Sequence, residues 1–190
     1  ELKFSPDGSV LAIGSHDNAI YLVNTSNFQK KFIMRKHSSF ITHLDWSEDG
    51  NNLHSNCGAY ELLFWDANTG KQITAGATQF RDERWATWTC VLGWPVQGIW
   101  PPFTSGDDIN YVSRSASKAK GGDYELLALA DDFGKVKLMR YPSLQKGAEG
   151  VVGAGHSSHV TCVKWDPTDE YIFSTGGEDN CVFQWKVNQE

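Results

Sequence analysis

Residues 155–187 read GHSSHVTCVKWDPTDEYIFSTGGEDNCVFQWKV, and the rest of the chain repeats this stretch in altered form. An apolar run through Val160, Cys162 and Trp165 ends in the turn Asp166-Pro167-Thr168-Asp169. A β-rich run from Tyr171 to Thr175 follows, then a tight Gly-Gly-Glu-Asp-Asn turn, then a third run from Cys181 to Trp185. Period-two alternation broken by Gly, Asp and Pro predicts three short antiparallel strands.

The opening Gly-His, the Asp before the last strand and the closing Trp resemble the WD-repeat signature of a propeller blade. In such blades a His, a Ser or Thr, an Asp and a Trp hydrogen-bond in a chain. The resemblance places that tetrad at His156, Thr175, Asp179 and Trp185. A buried Asp and His are destabilising unless paired, so a satisfied network fixes strand register. The same residue types could suggest hydrolytic chemistry. No nucleophile elbow or Gly-rich cradle accompanies them, so no catalytic residue is assigned.

Three more repeats precede this one. Residues 1–36 start inside a blade: Leu2–Phe4 ends an inner strand, Ser5-Pro6-Asp7-Gly8 is the turn, and Val10–Ser15, Ile20–Asn24 and Lys30–Arg35 are the following strands. Asp17 aligns with Asp179, whereas Ile13 and Val23 occupy the hydroxyl and Trp positions, so this tetrad is incomplete. Residues 37–105 form the second blade. His37 stands nine residues before Trp46, as His156 stands nine before Trp165, and Trp65 closes the third strand. Ala59 sits where Asp is expected, which predicts a blade held by apolar packing more than by a tetrad. Residues 79–105 then read as an elongated outer strand, with Trp88–Leu92 in it, plus an ordered aromatic and Pro-rich insertion. The third blade, residues 106–155, takes its inner strand from Ile109–Ser115, and the fourth occupies residues 156–190. Residues 113–123, SRSASKAKGGD, read as ending in a mobile polar hairpin loop.

Composition bounds the rest. The chain has 190 residues, 40% hydrophobic and 13% aromatic, enough for a packed core. It carries no run of about 18 apolar residues, which argues against a membrane-spanning helix, and no signal-like start. A net charge of −6 disfavours nucleic acid or an anionic membrane as partner. Cys57, Cys90, Cys162 and Cys181 lack C-x-x-C spacing and read as buried, reduced thiols, with no metal or cofactor implied. Asn24-Thr25-Ser26 is a chance glycosylation match. Asp132-Phe133-Gly134 spells a kinase tripeptide but lacks the catalytic and Gly-rich loops. Asp107-Asp108 and Glu178-Asp179 lack calcium-loop spacing and read as turn carboxylates.

Trp85–Pro102 (WATWTCVLGWPVQGIWPP), the DDINYVSRS segment, Ala130–Pro142 (ADDFGKVKLMRYP) and GHSSHVTCVKW together closely resemble the C-terminal part of the echinoderm microtubule-associated protein-like family, along nearly the whole chain. That family fuses two propellers in tandem. The resemblance implies an all-β partial propeller of four WD-type blades, a non-enzymatic cytoskeletal scaffold, and tubulin, microtubules or other cytoskeletal proteins as partners. It places the protein in the cytoplasm, on microtubules or a ciliary axoneme. A general WD-repeat adaptor in a signalling or ubiquitin-ligase complex is the alternative. A microtubule surface is acidic and so is this chain, so contact requires a specific patch rather than bulk attraction. Arg81, Arg84, Trp85, Trp100 and Phe103 are candidates; equally, these aromatics can serve only to cover a blade edge. The mid-blade start and the end soon after Trp185 predict a fragment with an open edge that is not a soluble monomer by itself.

Overall fold

The computed structural model describes residues 1–100 and 108–188. Among them the strands form four antiparallel sheets in which chain neighbours pair. The chain divides into two compact units, Glu1–Gly93 and Trp94–Glu190. No helix among the described residues is long and apolar enough to cross a membrane.

The first unit holds two four-stranded sheets. One contains β1 (Leu2–Phe4), β2 (Val10–Gly14), β3 (Ala19–Asn24) and β4 (Lys30–Arg35). The other contains β5 (Ile41–Trp46), β6 (Asn52–Cys57), β7 (Leu62–Asp66) and the two-residue β8 (Lys71–Gln72). The turns that open both sheets share one chemistry. In Ser5-Pro6-Asp7-Gly8, Ser5 Oγ donates to Asp7 Oδ1 (2.6 Å) and accepts from Val10 N (3.0 Å). In Ser47-Glu48-Asp49-Gly50, Ser47 Oγ donates to Asp49 Oδ1 (2.6 Å) and accepts from Asn52 N (2.9 Å). Gly8 and Gly50 have φ of 72° and 71°, the left-handed conformation that Gly adopts without steric penalty. Val10, Ala12, Ile20, Leu22 and Met34 pack with Ile41, Leu44, Trp46, Leu53 and Trp65 into one core. A Cβ on Gly14 would lie 2.6 Å from Ile41 Cγ2, so the close approach of the two sheets requires Gly there.

Among the described residues the expected elongated outer strand is not found. β8 is short, a four-residue helix α1 (Gly76–Gln79) follows, and Trp88–Leu92 is not a strand. Residues 84–92 lie instead against β5 and β6. Ala86 N donates to Trp46 O (2.8 Å), Ser47 bridges Trp85, and Leu92 N donates to Asn56 Oδ1 (2.9 Å). The buried Asp45 carboxylate fixes this course: it accepts Thr87 Oγ1 at 2.9 Å and Thr89 N at 3.2 Å. Thr89 Oγ1 donates to Leu44 O (3.1 Å). A buried carboxylate is destabilising without such donors, so the Thr residues of the WATWT segment meet that demand.

The second unit begins with a 3-10 turn, Trp94–Ile99. Its first sheet runs in the order β12 (Val151–Ala154), β11 (Lys135–Tyr141), β10 (Glu125–Asp131), β9 (Ile109–Lys118). β9 thus occupies a sheet edge, as expected for an inner strand. It also runs on to Lys118, which shortens the expected loop: Ser115 Oγ accepts Leu126 N, and the Ala116 and Ser117 amides donate to Asp169. All of β10 is buried, and its two acids are paired: Glu125 with Arg114 at 3.5 Å and Asp131 with Lys137 at 2.9 Å. Asp131 Oδ1 also accepts the Phe133 and Lys135 amides, so Asp132-Phe133-Gly134 is a β10–β11 turn. The last sheet contains β13 (Val160–Trp165), β14 (Tyr171–Gly176) and β15 (Val182–Lys186). Tyr111, Ala128, Ala130 and Val136 pack with Val160, Val163 and Ile172 into this unit's core.

Candidate functional site

In the last sheet, Trp185 Nε1 donates to Ser174 Oγ (2.8 Å), which lies 2.8 Å from His156 Nε2; His156 Nδ1 lies 2.8 Å from Asp179 Oδ2. The hydroxyl is therefore Ser174 and not Thr175. Successive side chains of a strand point to opposite faces. Ser174 shares its face with buried Ile172, whereas Thr175 Oγ1 bonds Thr161 Oγ1 (2.8 Å) on the exposed face. Burial pushes the Asp179 carboxyl up, but the Cys181 amide and the His156 ring hold it below the usual carboxylate value.

The second sheet carries the same relay, against expectation. Trp65 Nε1 donates to Ser55 Oγ (2.8 Å), which lies 2.7 Å from His37 Nε2; His37 Nδ1 lies 3.0 Å from Glu61 Oε2. Glu61, on the near side of β7, replaces the missing Asp at Ala59. The reason lies at the end of the second strand. Gly176 pairs with Val160 as Cys57 pairs with Ile41, each beside the same bulge. A Cβ on Gly176 would stand 1.7 Å from Asp179 Oδ1, so the Asp arrangement requires Gly there. Cys57 has a Cβ, and the acid arrives instead one residue later, His37 to Glu61 being 24 residues against 23 from His156 to Asp179, with a longer side chain. Amide donation from Ser38, then the Cys57 thiol, outweighs burial and lowers the Glu61 pKa to about 2. Burial lowers the His37 pKa, opposed by Glu61. The relay follows from ionised Glu61, an acceptor only: Nδ1–H donates to Glu61, Ser55 O–H donates to Nε2, and Ser55 accepts from Trp65. In the first sheet the aligned Asp17 faces solvent, bonded to Tyr21 (2.5 Å) and Arg35 (3.1 Å).

Among the proposed partner-contact residues, Trp85 is not available at the surface. Trp85 is 1% exposed and stacks on His54, with ring centroids 3.8 Å apart, so it packs the interior rather than a partner. His54 is fully buried against Trp85, Trp88 and Phe64. Its ring nitrogens lack hydrogen-bond partners among the described residues, and burial lowers its pKa to about 3. Arg81 is exposed, and Arg84 is an exposed cation paired with Glu48 at 2.6 Å. Trp100 is half-buried, and Phe103 lies outside the described residues. Sequence reasoning missed exposed aromatics in the same unit. Phe40 stacks on His16 at 4.7 Å, and Tyr60, 55% exposed, holds φ at 61°. Nothing in the periodic pattern marks them, because they stand in turns. Of the four free cysteines only Cys57 and Cys90 are buried; Cys162 is half-buried and Cys181 exposed, because it directly follows a turn.

Antiparallel sheets of neighbouring strands, two of them carrying a Trp–Ser–His–acid relay, define a blade of the β-propeller class. Residues 1–187 match the family model described as echinoderm microtubule-associated protein second beta-propeller, and the chain belongs to that family. It is 48% identical to echinoderm microtubule-associated protein-like 2 of Rattus norvegicus, over 98% of this chain and 28% of the relative. It is 47% identical to the 77 kDa echinoderm microtubule-associated protein of Strongylocentrotus purpuratus, over 98% of this chain and 27% of the relative. Against echinoderm microtubule-associated protein-like 3 of Mus musculus the identity is 46%, over 98% and 20% respectively. The chain thus spans between a fifth and somewhat over a quarter of the length of these relatives.

Proposed function

We propose that this chain is the blade-forming part of a non-catalytic, microtubule-associated scaffold that binds tubulin or microtubules and other cytoskeletal proteins, in the cytoplasm on microtubules or an axoneme. Membership of a family whose relatives are named as microtubule-associated proteins carries this reading. The interior supports it physically: the relays and the aromatic packing around His54 are spent on holding strands, which suits a rigid surface more than a reaction centre. With a net charge of −6, contact with an acidic filament needs a local basic patch. Arg81 and Arg84 are the cations we assign to it. Co-sedimentation of the full-length protein with microtubules, beside gel filtration with free tubulin, tests the proposal. Binding in either assay is expected, weakened by Arg81→Glu/Arg84→Glu with the melting temperature unchanged. A full-length protein that neither pellets with microtubules nor co-elutes with tubulin overturns it.

A further inference from the structure

His37, Cys57 and Glu61 come from three different strand borders, yet their donor atoms lie within 4.8 Å of one another. Glu61 Oε2 stands 3.0 Å from His37 Nδ1 and 3.1 Å from Cys57 Sγ. An imidazole nitrogen, a thiol and a carboxylate at this spacing are more than the relay requires. The fourth sheet demonstrates that: its relay closes with Gly176 at the position of Cys57 and has no thiol there. We propose that His37 Nδ1, Cys57 Sγ and Glu61 Oε2 form a three-ligand site for a borderline-soft divalent cation of the Zn²⁺ class.

The mixed nitrogen, sulfur and oxygen set suits zinc, whose bonds of roughly 2.0–2.3 Å imply donor separations of roughly 3.3–3.7 Å in a tetrahedral site. The Nδ1–Sγ pair, within 4.8 Å, needs the Cys57 side chain to bring it to about 3.6 Å, and the two short pairs need to widen by a few tenths of an ångström. Glu61 can supply that movement, since its side chain is 32% exposed, whereas His37 is 1% exposed and fixed. Ser55 orients the ring from its other nitrogen at 2.7 Å, as a metal-bound imidazole requires. Ser38 Oγ, 2.8 Å from Glu61 Oε1, holds the carboxylate from outside. The exchange balances in protons. The cation takes the Nδ1 lone pair, and the imidazole proton moves to Nε2 and donates to Ser55 Oγ. The thiol loses its proton to solvent, so one proton leaves per cation bound. With three protein ligands, water would complete the tetrahedral set.

Co²⁺ titration of the full-length protein reads the thiolate directly, through its charge-transfer absorption in the near ultraviolet, with Zn²⁺ competition following. Wild type is expected to show a thiolate band displaced by Zn²⁺. Cys57→Ser is expected to lose that band while keeping its circular dichroism spectrum, and Glu61→Gln to bind about tenfold or more weaker. Should Glu61→Gln unfold, Cys57→Ala supplies a second test of the same band. A folded wild type with no band, or a band undiminished in Cys57→Ser and Cys57→Ala, overturns the assignment and leaves the three residues as a hydrogen-bonded relay.

Discussion

Ser174→Ala separates the observed relay from the one expected at Thr175. Ser174 is fully buried, and its oxygen is both the acceptor for Trp185 Nε1 and the partner of His156 Nε2. Alanine removes one oxygen and leaves two ring nitrogens without it. A buried polar group left unsatisfied costs about 1–3 kcal/mol. Trp185 is half-buried and recovers part of its loss from water, while the His156 side chain is 0% exposed and recovers none. The expected destabilisation is therefore about 2–4 kcal/mol. Thr175→Ala removes a bond to the exposed Thr161 hydroxyl and should cost under about 1 kcal/mol. Urea unfolding of both variants in the full-length protein, monitored by tryptophan fluorescence, measures the difference. Equal losses, or a larger loss for Thr175→Ala, would refute the strand-face argument.

Two other perturbations test the interior of the first unit. The His54 pKa is lowered to about 3 from 6.5 by burial, so the unfolded state binds the extra proton over that interval. The contribution is fully present above pH 6.5 and falls with pH by about 1.4 kcal/mol per unit, or about 2 kcal/mol by pH 5. Urea melts at pH 7 and 5 should show a shallower slope in His54→Phe than in wild type, His37 keeping its own smaller part; an unchanged slope in His54→Phe would place the proton elsewhere. Trp85→Ala should cost about 3–5 kcal/mol, because it empties a buried indole site between His54, Phe64 and Phe80. Lost tubulin binding at unchanged stability in this variant would instead make Trp85 a contact residue.

Strand order was legible in the sequence because turn residues punctuate the strands, as in the Ser-x-Asp-Gly chemistry that Ser5–Gly8 and Ser47–Gly50 share. What misled was local. Ser174 and Thr175 are adjacent hydroxyls, and the signature does not say which faces His156. An interval would have decided it: His37 to Ser55 and His156 to Ser174 are both 18 residues. Ala59 hid the second relay, because the replacement acid comes from a different position with a longer reach. Trp85 and Trp88 looked like strand residues because aromatics favour strands. Their course is set by the buried Asp45, some forty residues earlier, which accepts from the Thr87 hydroxyl and the Thr89 amide, and bonds across that distance leave no periodic trace. The contact surface was the least legible, since exposed side chains answer to a partner and not to the fold.

The exchange of Gly176 for Cys57 bears on how such repeats can be recombined. Gly176→Cys would drive a Cβ to within 1.7 Å of Asp179 Oδ1. Cys57→Gly would take the thiol from beside Glu61. Gly176 is thus tied to Asp179 by space, whereas the Cys57 thiol is an added contact that closure of the Glu61 relay does not need. A chimera that puts the second strand of the second sheet into the last sheet without the turn that follows it should fail, although the two strands are superficially alike, because Asp179 leaves no room for a Cβ at that position.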